Sequence, residues 1–297
     1  TSNFRAGVNA GNSIVSGGID NTVVGDEAGT AITTGRFNTL IGKEAGDALN
    51  DADSNVAIGK GALSSDTQGS QSTAIGTLAL TAQNFTSATD AYNVAVGAEA
   101  GGLVTTGQFN VIVGGLAGDA LTHSGANTFI GHNSGGAYNG ADANTFNTFI
   151  GTDSGSAMST GTKNTILGSY DGNEGGLDIR TGTNNIVLSD GDGNPRVQIN
   201  ARGVTHNSER TGVARFGSMF NLTMADDASV DLSNGGVAGA YIINIYEESG
   251  GTGGSWFATF RGGTTLIAQG LSGDCSASDV DGDICVFKTS GAHAITF

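Results

Sequence analysis

Carboxylates at every second residue are the groups in this sequence best spaced to do chemistry. Asp190, Asp192 and Asn194 stand in the run DGDGN, and Asp279, Asp281 and Asp283 in DVDGD. Alternating oxygens of this kind ligate Ca²⁺ in EF-hand loops, whose twelfth position adds a bidentate Glu. Neither run is followed by that Glu, and Asp-Gly pairs also make tight turns without a metal. Calcium is carried forward on spacing alone, and no other cofactor is expected. His123, His132, His206 and His293 are scattered, with no second ligand at metal spacing. A carboxylate pair for glycoside hydrolysis is defined by geometry, and no motif selects one here. The chain is expected not to be an enzyme, with a glycan-depolymerising spike as the minority alternative.

A second group could do recognition chemistry. Tyr246, Trp256, Phe257 and Arg261 fall close together in AYIINIYEE and SWFATFRGG. Amphipathic aromatics beside an Arg suit a glycan or protein surface. The bland reading is that Trp256 and Phe257, being adjacent in a strand, alternate between core and solvent.

Positioning such groups falls to a chain of unusual composition. Its 297 residues include 51 Gly and one Pro, and 13% are charged. Glycine without a G-X-Y period excludes collagen, and recurring Val, Ile, Leu and Phe argue against disorder. A formal charge of −16 argues against nucleic acid and against an anionic membrane face. No apolar stretch approaches the roughly 20 residues of a spanning helix, so no membrane insertion is expected. The opening TSNFRAGVNAGNS has neither a Met nor an apolar leader core, and reads as the interior of a longer pattern. Cys275 and Cys285 are too few to define a disulfide framework.

Internal repetition dominates the rest. Pentads begin at Asn21, Asn38, Asn55, Ser72, Asn93, Asn110, Asn127, Asn147, Asn164 and Asn185, most of them N-[TV]-x-[IV]-G. Their spacing is 17 residues, stretched to 20 or 21 at three places. A fixed period with tolerated insertions predicts a parallel β-solenoid, one coil per repeat, with outward bulges near 81–92, 138–146 and 173–184. The closing Gly of each pentad suits a tight corner and the leading Asn a turn and a side-chain ladder.

Within the pentad, the second and fourth residues share one strand face and the third lies on the other. The fourth is always aliphatic, so the second and fourth slots are expected to fill the coil. The third slot is apolar as well, and a strand apolar on both faces is buried on both. Val23, Leu40, Ile112, Phe129, Phe149 and Ile166 are therefore expected to meet partner chains in a homotrimer. Eight residues past the anchor, Gly29, Gly46, Gly101 and Gly118 go with apolar Ile32, Leu49, Val104 and Leu121 at the eleventh. Leu63 and Leu80 go instead with polar Asp66 and Gln83, so one bulky group per coil is kept and moved.

This array resembles the head repeats of YadA-like trimeric autotransporter adhesins, and more closely the NT-x-IG-x-x-AG arrays of marine phage (cyanophage-type) tail fibres. The resemblance covers about residues 12–189. It implies a virion tail fibre that is homotrimeric, joined to other tail proteins, and directed at a host cell-surface glycan or protein. The alternative is a cell-surface adhesin fragment.

The organisation expected is all-β. Residues 1–185 form the parallel β-solenoid shaft of 17-residue repeats. Residues 186–203, around DGDGNP, form a capping hairpin, since an open last coil would expose an unpaired edge. Residues 204–297, where the period vanishes, form a small antiparallel β-sandwich carrying nine of the 19 aromatic residues, a candidate receptor-binding tip.

Overall fold

The computed structural model describes residues 2–200 throughout. Beyond them it describes eight strands: Gly203–Thr205, Ser229–Asp231, Gly239–Tyr246, Gly253–Arg261, Thr265–Ser272, Cys275–Ser276, Ile284–Thr289 and Ala292–Thr296. Among the described residues the chain is all-β with no helix. It divides into two compact units, Thr1–Arg215 and Phe216–Phe297.

The first unit is a parallel β-solenoid of eleven coils. Each coil contributes one three- or four-residue strand to a single sheet, from Phe4–Ala6 and Thr22–Val24 through to Thr165–Leu167 and Ile186–Ser189. The register is that of the pentads: Thr22 faces Thr39, Thr39 faces Val56, and Thr128 faces Thr148. The long coils do not disturb it, for Thr73 faces Val94 and Thr165 faces Ile186. One copy was not legible: Asn3-Phe-Arg-Ala-Gly7 forms the first coil, disguised by Arg5 in the third slot and Ala6 in the fourth. The Arg5 guanidinium donates to the Gly11 carbonyl at 2.9 Å.

The expected inside and outside are exchanged. Val23, Leu40, Ile112, Phe129, Phe149 and Ile166 are completely buried within one chain, so they line the coil interior and are not available to a partner. The second and fourth slots point outward: Ile41, Ile75, Ile130 and Leu167 are exposed, and Thr22, Val56 and Val94 half-buried. A 17-residue loop closes on one strand face only, and it closes on the face whose residues vary in volume. Ala57 and Ala74 occur in the coils that bring in buried Leu63 and Leu80. Phe129 and Phe149 stack at 5.0 Å, and Tyr138 meets both edge-on at 5.8 and 6.1 Å. That compensation between neighbours is what a close-packed interior requires.

The anchoring Asn residues form a buried ladder. Each Oδ1 accepts the backbone N–H of the next anchor, as Asn21 does from Asn38 at 3.0 Å and Asn110 from Asn127 at 3.1 Å. Most Nδ2 groups donate to a carbonyl 14 residues on, such as Asn38 to Ala52 and Asn147 to Gly161. At Ser72 the side chain is too short, and the polar eleventh-position residues complete the network. Gln83 donates to Ser72 Oγ and to Asp66 Oδ2, and its Oε1 accepts from Asn93. Asp66 Oδ1 accepts from the amides of Gly69 and Phe85. Asp66 and Gln83 are fully buried, so the exchange with Leu63 and Leu80 moves polar groups inside rather than out.

The ladder gives a first expected result. Asn110→Ala strips the Asn127 amide of its acceptor and the Ser124 carbonyl of its donor. Buried groups left unpaired cost about 1–3 kcal/mol each, so a loss of roughly 2–5 kcal/mol is expected in urea unfolding. Asn139→Ala, at an exposed loop position, serves as control and is expected within about 1 kcal/mol of the parent.

The insertions bulge only in part. Ala141, Asp142, Ala143 and Asn144 are exposed, and the third insertion holds a short hairpin of Asn173–Glu174 with Leu177–Asp178. Yet Phe85, Tyr138 and Ile179 from the same segments are buried in the rod. The C-terminal end of the sheet carries two antiparallel strands. Ile186–Ser189 pairs antiparallel with Pro195–Asn200, which pairs antiparallel with Gly203–Thr205.

The second unit contains two sheets. One is antiparallel, built of Gly239–Tyr246, Gly253–Arg261 and Thr265–Ser272. The other joins Ser229–Asp231, Ala292–Thr296, Ile284–Thr289 and Cys275–Ser276, and it is mixed rather than antiparallel, since Cys275–Ser276 runs parallel to its neighbour.

Candidate functional site: the uncharged face of the rod

Ten of the eleven coils enter their strand through a left-handed corner. The residue before the anchor has φ between 50° and 63° in all ten coils from Asp20 to Asn184. Burial then alternates along the strand, so that the corner residue and the second and fourth slots look outward while the anchor and third slot look in. The outer sheet face is thus three residues wide. One row is β-branched or Thr, one row is aliphatic, and the corner row is the surprise.

Phe37, Tyr92, Phe109 and Phe146 occupy corners and are 54%, 47%, 50% and 55% exposed. Positive φ favours Gly, Asn or Asp, and a bulky side chain there costs about 1 kcal/mol or more. The backbone therefore gives these aromatics no reason to sit where they do. Tyr92 and Phe109 lie with centroids 5.9 Å apart and planes within 14°. The two rings are stacked on one another, from neighbouring coils. Gln71 Nε2 reaches the Tyr92 hydroxyl at 3.3 Å.

Charge is excluded from this face. From Phe37 to Ile150, seven coils supply twenty-one outward positions, and none carries Asp, Glu, Lys or Arg. The acids lie elsewhere around the coil, as Asp26, Glu27, Glu44, Asp47, Glu99 and Asp119 do. Burial, reinforced by neighbouring Glu44 and Glu27, holds the Asp47 carboxyl above the ordinary carboxylate range, and its Oδ1 has no partner. Burial raises Asp119 in the same way, helped by Glu99.

The residues singled out from sequence are distributed as follows. In the capping turn, Asp190 Oδ1 accepts from the Asp192 and Asn194 amides at 3.1 and 2.9 Å, and Oδ2 accepts from Arg196. Partial desolvation pushes its carboxyl up, and these donors outweigh it, leaving the group below its usual range. The alternation of Asp190, Asp192 and Asn194 thus builds a turn closed by an ion pair. Among the described residues no three His, Cys, Asp or Glu side chains gather as a metal site. Asp279, Asp281 and Asp283 lie outside the described residues.

Trp256 and Phe257 are consecutive positions of Gly253–Arg261, opposite Ile243 and Ile242. Tyr246 pairs with Gly253 at one end of that strand, and Arg261 ends it beside Thr265. The four positions run the length of one ladder rather than gathering at one end of it. Cys275 and Cys285 fall on adjacent parallel strands, one step out of register.

These features define the class: an all-β protein built on a parallel β-solenoid with 17-residue coils. The chain matches no family model, no curated protein and no solved structure.

Proposed function

We propose that this chain is a segment of a structural fibre, a stiff spacer in a virion tail that carries a terminal domain to the host surface. The observation that carries the reading is the in-register stack of eleven coils, closed at its C-terminal end by an antiparallel hairpin and followed by a separate unit. Ten steps at the spacing of neighbouring strands make a rod about 48 Å long. The sheet bonds, the Asn ladder and the interior all repeat coil by coil, which resists bending in the manner of a solenoid. The function is mechanical and adhesive, not enzymatic. Its partners are two further copies of itself, other tail proteins, and a host cell-surface glycan or protein met by residues 204–297 through Tyr246, Trp256, Phe257 and Arg261.

The test is adsorption to host cells. The whole chain is expected to bind and to block adsorption of the particle that carries it. A chain ending at residue 203 is expected to do neither. Equal binding by the shortened chain would overturn the tip assignment.

A further inference from the structure

We infer that Asn139 is a site of spontaneous deamidation in the folded rod, and that the Thr122 hydroxyl promotes the step. The inference is independent of the fibre reading. Among the described residues Asn139 is the one Asn followed by Gly. It is exposed, and so are Ala141, Asp142, Ala143 and Asn144 beyond it in the second insertion, where a chemical change leaves the packed interior untouched.

Three hydrogen bonds set the geometry. The Thr122 hydroxyl donates to Asn139 Oδ1 at 2.7 Å, the Asn139 N–H donates to the Ser159 carbonyl at 3.1 Å, and the Ser124 hydroxyl donates to the Gly140 carbonyl at 2.6 Å. Among the described residues no hydrogen bond engages the Gly140 N–H. That nitrogen is the nucleophile the reaction needs, and Gly puts no side chain in front of it. His123 Nδ1 lies 2.8 Å from the same Thr122 oxygen. A hydroxyl has one hydrogen, and here it goes to Asn139, so the imidazole donates the second bond. Each donor polarises the next, from His123 to Thr122 to Asn139.

The step balances with water as the only co-reactant. The Gly140 nitrogen gives its proton to solvent and bonds to Asn139 Cγ, while the carbonyl electrons move onto Oδ1. The Thr122 hydroxyl, already on Oδ1, stabilises the charge that forms there. The carbonyl then re-forms, the Cγ–Nδ2 bond breaks, and the nitrogen takes up a proton and leaves as ammonia. Water opens the resulting five-membered imide at either carbonyl. Breaking the bond to Cγ gives Asp; breaking the bond to the main-chain carbonyl carbon gives isoaspartate. Either product adds one negative charge to a chain of −16. The strands that flank the insertion keep their register, Thr128 facing Thr148, so the rod stays folded as the charge accumulates.

Two further Thr–Asn pairs on the rod serve as internal comparators. Thr33 donates to Asn50 Oδ1 and Thr67 to Asn84 Oδ1. The residues that follow are Asp51 and Phe85 rather than Gly, and the Phe85 amide is already donated to Asp66.

The test is incubation of the whole chain in warm neutral buffer, digestion at acidic pH, and mass spectrometry of the peptides, with circular dichroism as the check on folding. Asn139 is expected to convert many times faster than Asn50 and Asn84, in both Asp and isoaspartate forms, with an unchanged spectrum. The Asn139→Asp variant supplies the standard for the Asp peptide. Thr122→Val is expected to slow the conversion by about tenfold, less than a donor in an enclosed oxyanion hole contributes. Conversion at Asn139 no faster than at Asn50 and Asn84 overturns the site. Equal conversion in the parent and the folded Thr122→Val variant overturns the part given to Thr122. An Asp product with no isoaspartate overturns Gly140 as the nucleophile, because direct attack by water gives Asp alone.

Discussion

Ile112→Asp is expected to unfold the rod, whereas Ile130→Asp is expected to leave the lone chain folded. The two residues occupy facing coils of one sheet, eighteen positions apart, and differ only in which way they point. Ile112 is completely buried against the third-slot row, between Ala95 and Phe129 in the register. A carboxylate there finds no cation and no donor beyond those already used by the sheet. Burying an unpaired charge costs well over 4 kcal/mol unless the site opens to water, a large part of the 5–15 kcal/mol that holds a domain together. Ile130 is 36% exposed on the outer face, and Asp at that point keeps its water. Its expected cost in the lone chain is about 1 kcal/mol, mostly lost β-propensity and neighbour packing. Thermal unfolding followed by circular dichroism distinguishes the two. A similar melting temperature for Ile112→Asp and the parent would return the third slot to the outside.

This contrast also locates the limit of reading the sequence. The period, the anchors, the corner Gly and the C-terminal hairpin were legible because each rests on a residue type that the backbone demands. Inside and outside were not, because period-two alternation separates two faces only when one of them is polar. Here both are apolar. The distinguishing signal was variance of volume rather than hydrophobicity. The third slot runs from Ala57 to Phe129, while the fourth holds only Val, Ile and Leu from Val24 to Leu188. Side chains sharing a closed space must trade volume with their neighbours, as Ala74 and Leu80 do. Side chains on an open face need only suit the sheet, and β-branched residues suit it best.

The candidate site was less visible still. Phe37, Tyr92, Phe109 and Phe146 precede the anchor in their repeats, outside the pentad, where most other coils carry a polar residue such as Asp20, Ser54 or Lys163. Nothing in composition marks them as exposed. Only the left-handed corner, which turns the position outward ahead of a buried Asn, reveals that they are. The burial of Asp66 and Gln83 was not legible for a related reason. Polar residues in a repeat suggest solvent, and the gap they fill exists only because Ser72 interrupts the Asn ladder.

Gly114→Ala is expected to be the most damaging single methyl group in the rod. Gly114 ends its pentad with φ of 140°, a conformation that residues with a side chain rarely adopt. A Cβ built on it would lie 2.2 Å from the carbonyl oxygen of Gly131, the corresponding corner of the next coil. The obstacle is backbone and cannot rotate away. Gly131 in turn would place its own Cβ 2.3 Å from the Gly151 carbonyl, so moving one corner presses on the next. Relief requires the coils to part by about an ångström, which lengthens the bonds of Gly114 N to Val96 O and Gly131 N to Val113 O, 2.8 and 2.7 Å in the parent. Backbone strain of about 1–3 kcal/mol adds to weakened sheet bonds and to gaps opened in a close-packed interior. A total above about 3 kcal/mol is expected in denaturant unfolding. Gly191→Ala is the matched control, because a Cβ at that exposed turn meets nothing within 4 Å. It is expected to be neutral, or to stabilise by up to about 1 kcal/mol by restricting the unfolded chain. Equal stability of the two variants would mean that the corners do not stack as closely as the ladder of glycines requires.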